Sequence, residues 1–263
     1  MDLGLHGKKA LITGSSRGLG FATAKLLAQE GCDIAINSRD QERLAAANEE
    51  ISAESNGRIF SIIADVSLGE DADRLVKESA GLLGGLDILI TNSGGPPSGK
   101  FETFDDQTWV AAINLNFLSH VRLIRTALPY LKDSSSASVL TITSMSVKQP
   151  VPNLVLSNSV RSATVGLTKT LALELGDEGI RFNSILPGWT ETERVQELMA
   201  FRAENNKTTI DEELTKQAKD SPLGRLGSPK EFANMAVFLA SPAASYLTGS
   251  MIVVDGGMYK ATY

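Results

Sequence analysis

Seven compact apolar runs, each followed by a longer stretch of different pattern, constrain this chain more than any other feature. The runs lie at 9–13, 33–38, 59–64, 87–91, 138–143, 181–186 and 251–254, each bounded by Gly, Asp, Ser or Asn. Continuous apolar runs, as opposed to alternating ones, mark strands buried on both faces, as in a parallel sheet. Between them, segments such as 19–30, 41–55 and 71–83 carry helical patterns. That order predicts an α/β fold of three αβα layers, a Rossmann-type, doubly wound, seven-stranded parallel sheet. The 263 residues contain no repeat and no dividing linker, so residues 1–263 are expected to form one domain. Two stretches break the rhythm. Gly94-Gly-Pro-Pro-Ser-Gly99 is a loop by its breakers. The long polar stretch at about 190–220 reads as a lid over a substrate site.

Composition removes several classes of function. A net charge of −6 without a basic stripe disfavours nucleic acid as a partner. No apolar run approaches the roughly 20 residues of a membrane span, and the first residues carry no secretory pattern. Cys32 is the only cysteine, which excludes an internal disulfide and suits a reducing cytoplasm. Placed just before a strand, it reads as a small core residue. His6 and His120, the only histidines, have no metal-ligand spacing, so no metal is expected.

Thr13-Gly-Ser-Ser-Arg-Gly-Leu-Gly20 joins the first strand to the first helix. Gly14, Gly18 and Gly20 permit a tight turn and close approach of backbone to a pyrophosphate, which then meets the positive end of the helix. Ser16, Arg17 and Leu19 complete the turn. NAD-binding Rossmann domains carry an acidic residue at the end of the second strand for the ribose hydroxyls. Here that place is held by Ser38, followed by Arg39. A carboxylate would repel a 2′-phosphate, whereas a serine and a guanidinium accept it. With Arg17 nearby, the expected cofactor is NADP(H); Asp40, one position late, leaves NAD(H) as the alternative.

The spacing Thr-Gly-x-x-x-Gly-x-Gly is followed by Thr91-Asn-Ser-Gly94, the strand end Thr141-Ile-Thr-Ser144, Pro187-Gly188 with Thr192, Pro222-Leu-Gly-Arg225 and Val254-Asp-Gly-Gly257. In this order the motifs resemble the short-chain dehydrogenase/reductase family over nearly the whole chain, most of all its 3-oxoacyl-[acyl-carrier-protein] reductases. Thr91 and Ser93 depart from the family's Asn-Asn-Ala-Gly pattern. The resemblance implies adenine contacts from Asp65 and Val66, a cofactor-flanking loop at Asn92 and Gly94, and nicotinamide contacts from Pro187, Gly188 and Thr192. It also implies a small carbonyl or alcohol substrate, and a homotetramer joined by helices at 105–131 and 155–176.

The family's carbonyl chemistry uses an Asn, a Ser, a Tyr and a Lys. Asn116, seven residues after Trp109, matches the first, with Asn114 the neighbouring candidate; Ser144 matches the second. The Tyr-x-x-x-Lys motif reads Ser157-Asn-Ser-Val-Arg161, and no tyrosine occurs between Tyr130 and Tyr246. An aliphatic hydroxyl is a far weaker acid than a phenol. Arg161 can donate to ribose hydroxyls, but it stays charged. Losing a positioned general acid costs ~10²–10⁴ in rate. Hydride transfer would survive that if water or a substrate group supplied the proton. Lys148 is the nearest replacement donor, and Tyr259 or Tyr263 of a neighbouring subunit a remoter one; Tyr246 completes the C-terminal tyrosines. Two functions follow. One is an NADP(H)-dependent oxidoreductase with an altered proton-transfer step, favoured by Ser144, Asn116 and the glycine turn. The other is a catalytically silent nucleotide-binding protein whose lid serves a partner, favoured by Ser157 and Arg161.

Overall fold

The computed structural model describes residues 2–55 and 57–262. Its strands are β1 (Lys9–Ile12), β2 (Asp33–Ser38), β3 (Ile59–Ile63), β4 (Ile88–Thr91), β5 (Ser138–Ile142), β6 (Arg181–Pro187) and β7 (Met251–Val254). They form one sheet in the order β3-β2-β1-β4-β5-β6-β7, with every neighbouring pair parallel. The order reverses between β1 and β4. A crevice opens at such a reversal, beyond the carboxyl ends of the strands.

Consecutive residues of a strand face opposite sides of the sheet, and both sides are covered. Ala10, Ile12, Ile88 and Ile90 enter a core with α1 (Gly18–Gln29), α2 (Gln41–Ser52) and, later in the chain, Phe232 and Val237. Leu11, Leu89 and Val139 enter the opposite core, which includes residues of α3 (Gly69–Leu83) such as Leu75 and Val76. Both faces of the central strands therefore meet apolar layers, which is why their runs are continuous. Fully burying one Leu or Ile contributes about 1.5–3 kcal/mol. Cys32 belongs to the first core, and burial pushes its thiol up to about 12.

The segment at 105–131, expected as one helix, is divided. It forms α4 (Asp106–Ile113), a π-helical turn (Asn114–Leu118) and α5 (Ser119–Lys132). The wider turn shifts the helical phase, and Asn116 lies inside it, fully buried. Next come α6 (Val155–Glu174), then α7 (Glu193–Asn206) and α8 (Ile210–Lys219), which make up most of the lid stretch, and α9 (Pro229–Ala240). Thr192 caps α7 through its hydroxyl, and Thr209 with Glu212 forms a capping box on α8. Among the described residues, no helix is long and apolar enough to cross a membrane.

Candidate active site

A cleft of about 740 Å³ occupies the crevice, with residues of α7 on one wall. The glycine turn forms its floor. Gly14 and Gly18 have φ of +57° and +59°, a region that side chains with a Cβ rarely adopt. Gly14, Ser16, Arg17, Gly18 and Leu19 line the cleft, while Gly20 shapes it from behind. A Cβ on Gly20 would collide with the Gly14 carbonyl oxygen and lie 2.8 Å from Asn92 Nδ2. The Thr13 hydroxyl donates to the Asn92 carbonyl at 2.7 Å and accepts from its N–H at 2.8 Å. Asn92 Nδ2 donates to the Gly14 carbonyl at 3.0 Å. These bonds fix the end of β4, and with it Gly94, against the glycine turn.

At one end of the cleft, Ser38 accepts from the Ser16 hydroxyl at 3.0 Å and from the Asp40 N–H at 3.1 Å. Asp65 and Val66 line the same end, and Arg39 stands 3.8 Å from the Asp65 carboxylate. Asp40 is occupied by its own helix: it accepts from the Arg43 N–H at 3.1 Å and pairs with Arg43 Nε at 3.3 Å. Arg43 thus joins Arg17 and Arg39 at the wall, a third cation that no motif marked. Arg17 and Arg43 share the carboxylate of Glu193, the first residue of α7. The hydrogen bond from Arg17 holds that carboxyl below its ordinary range.

At the other end stand Ser144, Ser157 and Arg161. The Ser144 oxygen accepts from the Ser146 N–H at 3.1 Å, capping a short turn after β5. Ser157 is 9% exposed, and its hydroxyl makes no hydrogen bond among the described residues. Arg161, one turn further along α6, is 6% exposed. Its guanidinium donates to the carbonyls of Ile142, Thr143 and Gly94, each at 3.3 Å. Burial, with the charge of Arg194 second, pushes it down to about 10, so it remains a cation at neutral pH. His120 lies behind, its Nδ1 2.7 Å from the Thr91 hydroxyl. Burial first, then the Arg161 charge, pushes it down to about 3, so the imidazole is neutral.

Asn116 does not line the cleft. Its Nδ2 donates to Ser93 Oγ at 2.9 Å and to the Gly94 carbonyl at 2.7 Å, so it holds the loop after β4. Asn114 faces elsewhere, donating to the Val110 carbonyl and accepting from Arg122. Pro187, Gly188 and Thr192 line the wall, and a Cβ on Gly188 would lie 2.5 Å from that of Asp255. Lys148 is turned away, with its ammonium 5.3 Å from the centre of the Tyr259 ring. Tyr246 is fully exposed, and Tyr263 lies outside the described residues. Arg194 and Trp189 also line the cleft and carry no sequence signal that separates them from a polar lid. Arg194 donates to the Pro96 carbonyl at 2.7 Å and pairs with Glu197 at 3.3 Å.

The donor set fits a phosphorylated dinucleotide. Glycines without side chains allow close approach at the turn, three arginines surround Ser38, and hydroxyls with a buried cation stand at the far end.

Residues 14–259 match the family model described as Enoyl-(Acyl carrier protein) reductase. The chain is 31% identical over 253 residues to 3-oxoacyl-[acyl-carrier-protein] reductase FabG of Staphylococcus epidermidis, covering 96% of this chain and 99% of that protein. Among solved structures, L-sorbose reductase from Gluconobacter frateurii, complexed with NADPH and L-sorbose, is similar with a TM-score of 0.94. Identity is 32%, over 99% of this chain and 100% of that one. A short-chain oxidoreductase from Pseudomonas aeruginosa PAO1, NADPH-bound and described as containing an atypical catalytic center, gives 0.87 at 32% identity. That match covers 96% of this chain and 97% of the other.

Proposed function

The chain belongs to the short-chain dehydrogenase/reductase family, and we propose from this that it is an NADP(H)-dependent oxidoreductase. Its substrate is a small carbonyl or alcohol compound, and Ser157 and Arg161 alter the proton-transfer step. One arrangement carries the reading. Ser144, Ser157 and Arg161 line one end of the cleft whose other end holds the glycine turn and three arginines. The NADPH complexes of the Gluconobacter and Pseudomonas proteins support the cofactor.

NADPH, when bound, supplies a hydride to a carbonyl carbon. Arg17, Arg39 and Arg43 would hold its 2′-phosphate through charge-assisted hydrogen bonds. The N–H groups at the start of α1 would take the pyrophosphate. Ser144 and Ser157 would donate to the carbonyl oxygen, where negative charge develops. The Arg161 cation stabilises that charge without surrendering its own proton. Ser157 is shorter than a tyrosine and leaves room for the water that protonates the oxygen. His120 takes no part, being neutral and outside the cleft lining.

The same reading includes a single domain and a homotetramer formed through α4, α5 and α6, supported by exposed Val110, Ile113 and Leu173 on those helices. A reducing cytoplasm is supported by the free, buried Cys32. A silent nucleotide-binding protein is the second reading. It is favoured by the guanidinium of Arg161, which is turned to backbone carbonyls as a clamp would be.

The test is NADPH oxidation by purified protein at saturating cofactor. The panel comprises 3-oxoacyl thioesters, diketones, ketoses and oxo acids, beside a Ser157→Tyr, Arg161→Lys double variant. Turnover by the unmodified chain is expected. Turnover by the double variant alone would overturn the enzyme reading and favour the silent one.

A further inference from the structure

Both departures from the family motif fall at one corner of the cleft, and one chemistry explains them together. Positions 157 and 161 are four apart on α6, hence on one face. Ser157 leaves open the space that a tyrosine would fill; the residue is 9% exposed, it lines the cleft, and its hydroxyl has no partner among the described residues. The Arg161 guanidinium is buried as deeply and has no carboxylate partner among the described residues. Its contacts are three backbone carbonyls at 3.3 Å. Those bonds are long, and a buried cation ordinarily requires a paired anion to offset its lost hydration. A guanidinium has five N–H donors, so some remain for a ligand.

The surrounding charge does not supply that anion. Arg194 adds a second guanidinium to the wall. The acids of the same wall are engaged elsewhere: Glu193 with Arg17 and Arg43, Glu197 with Arg194 and Arg17. Beside Thr143 and Ser144, this corner holds the apolar Met145, Val151 and Leu154.

We propose that Ser157 and Arg161 form a carboxylate subsite, flanked by Arg194, and that the substrates are oxo acids with a free carboxylate one or two carbons from the carbonyl. The proposal rests on the oxidoreductase reading above and names the substrate class of that same site. A lysine at 161 would present a point charge, whereas the planar fork of an arginine matches two carboxylate oxygens. Serine at 157 clears space that the carboxylate shares with the protonating water, while its single O–H stays with the carbonyl oxygen. The apolar wall takes the remainder of a short acid. A neutral ketone would leave the guanidinium without its anion.

The experiment uses malonate as a redox-silent probe, titrated calorimetrically into protein saturated with NADP⁺, with neutral malonamide as the control. Malonate is expected to bind at least about tenfold more tightly than malonamide. Ser157→Tyr, which fills the space, and Arg161→Lys, which keeps the charge but loses the fork, should each abolish most of that preference. A separate NADP⁺ titration establishes that each variant is folded. Malonate binding no tighter than malonamide, or unchanged in Ser157→Tyr, would overturn the subsite. NADPH-dependent reduction of oxo acids and of their methyl esters separates the two levels. Esters reduced as well as acids would overturn the subsite and leave the oxidoreductase reading standing. Malonate binding without turnover of any oxo acid would support the subsite and count against the oxidoreductase.

Discussion

A methyl group at Gly20 would strike the Gly14 carbonyl oxygen and press on Asn92. Both belong to the rigid junction of β1 and β4, so neither can retreat as the end of a flexible side chain could. Gly20→Ala is therefore expected to destabilise the protein by about 1–3 kcal/mol, the usual range for overpacking a tight site. It should also weaken NADPH binding, because the displaced junction carries the cleft floor. Urea denaturation and a fluorescence titration measure the two effects; an unchanged midpoint would mean the turn adapts. Residue types of this kind are legible in a sequence because the backbone itself demands them. Asn116 is a partial case. Its presence was legible, but its placement behind the Gly94 loop depends on a π turn that leaves no mark in the hydrophobic pattern.

At the scale of elements, α7 is tied to the cofactor end of the cleft by its first residue. Glu193 lies between Arg17 and Arg43, where a 2′-phosphate would find its positive partners. All three side chains are about half exposed, so each pair is worth only about 0.2–1 kcal/mol. Glu193→Gln removes a competing anion. It should tighten NADPH binding roughly two- to fivefold while changing NADH binding less. Titration of both cofactors against the variant checks this, and equal gains for both would contradict it. The pair was not legible in advance, since Arg17 and Glu193 stand 176 positions apart. The lid was legible as polar helical patches, but which of its charges faces the cleft is decided by how it docks.

Across the whole molecule, the sheet and both of its cores follow from seven apolar runs, since alternate residues of each strand feed opposite layers. What no pattern conveyed is how the ionisable groups around the reactive corner are placed among the described residues. His120 is held near 3 and Arg161 near 10. Lys148 and Tyr259 pair with each other outside the cleft lining. On the wall, the hydrogen bond from Arg17 holds the Glu193 carboxyl below its ordinary range. On the proposed reading, such an enzyme takes its proton from water. The most direct measurement is thus the dependence of kcat/KM on pH for the unmodified protein, using NADPH and a substrate that does not ionise in the range. A flat profile from about pH 5 to about pH 9 is expected, with pH dependence restored in the Ser157→Tyr, Arg161→Lys double variant. A profile in the unmodified protein that rises or falls with an apparent pKa of about 6–8 would reveal a general acid and contradict the proposed proton source.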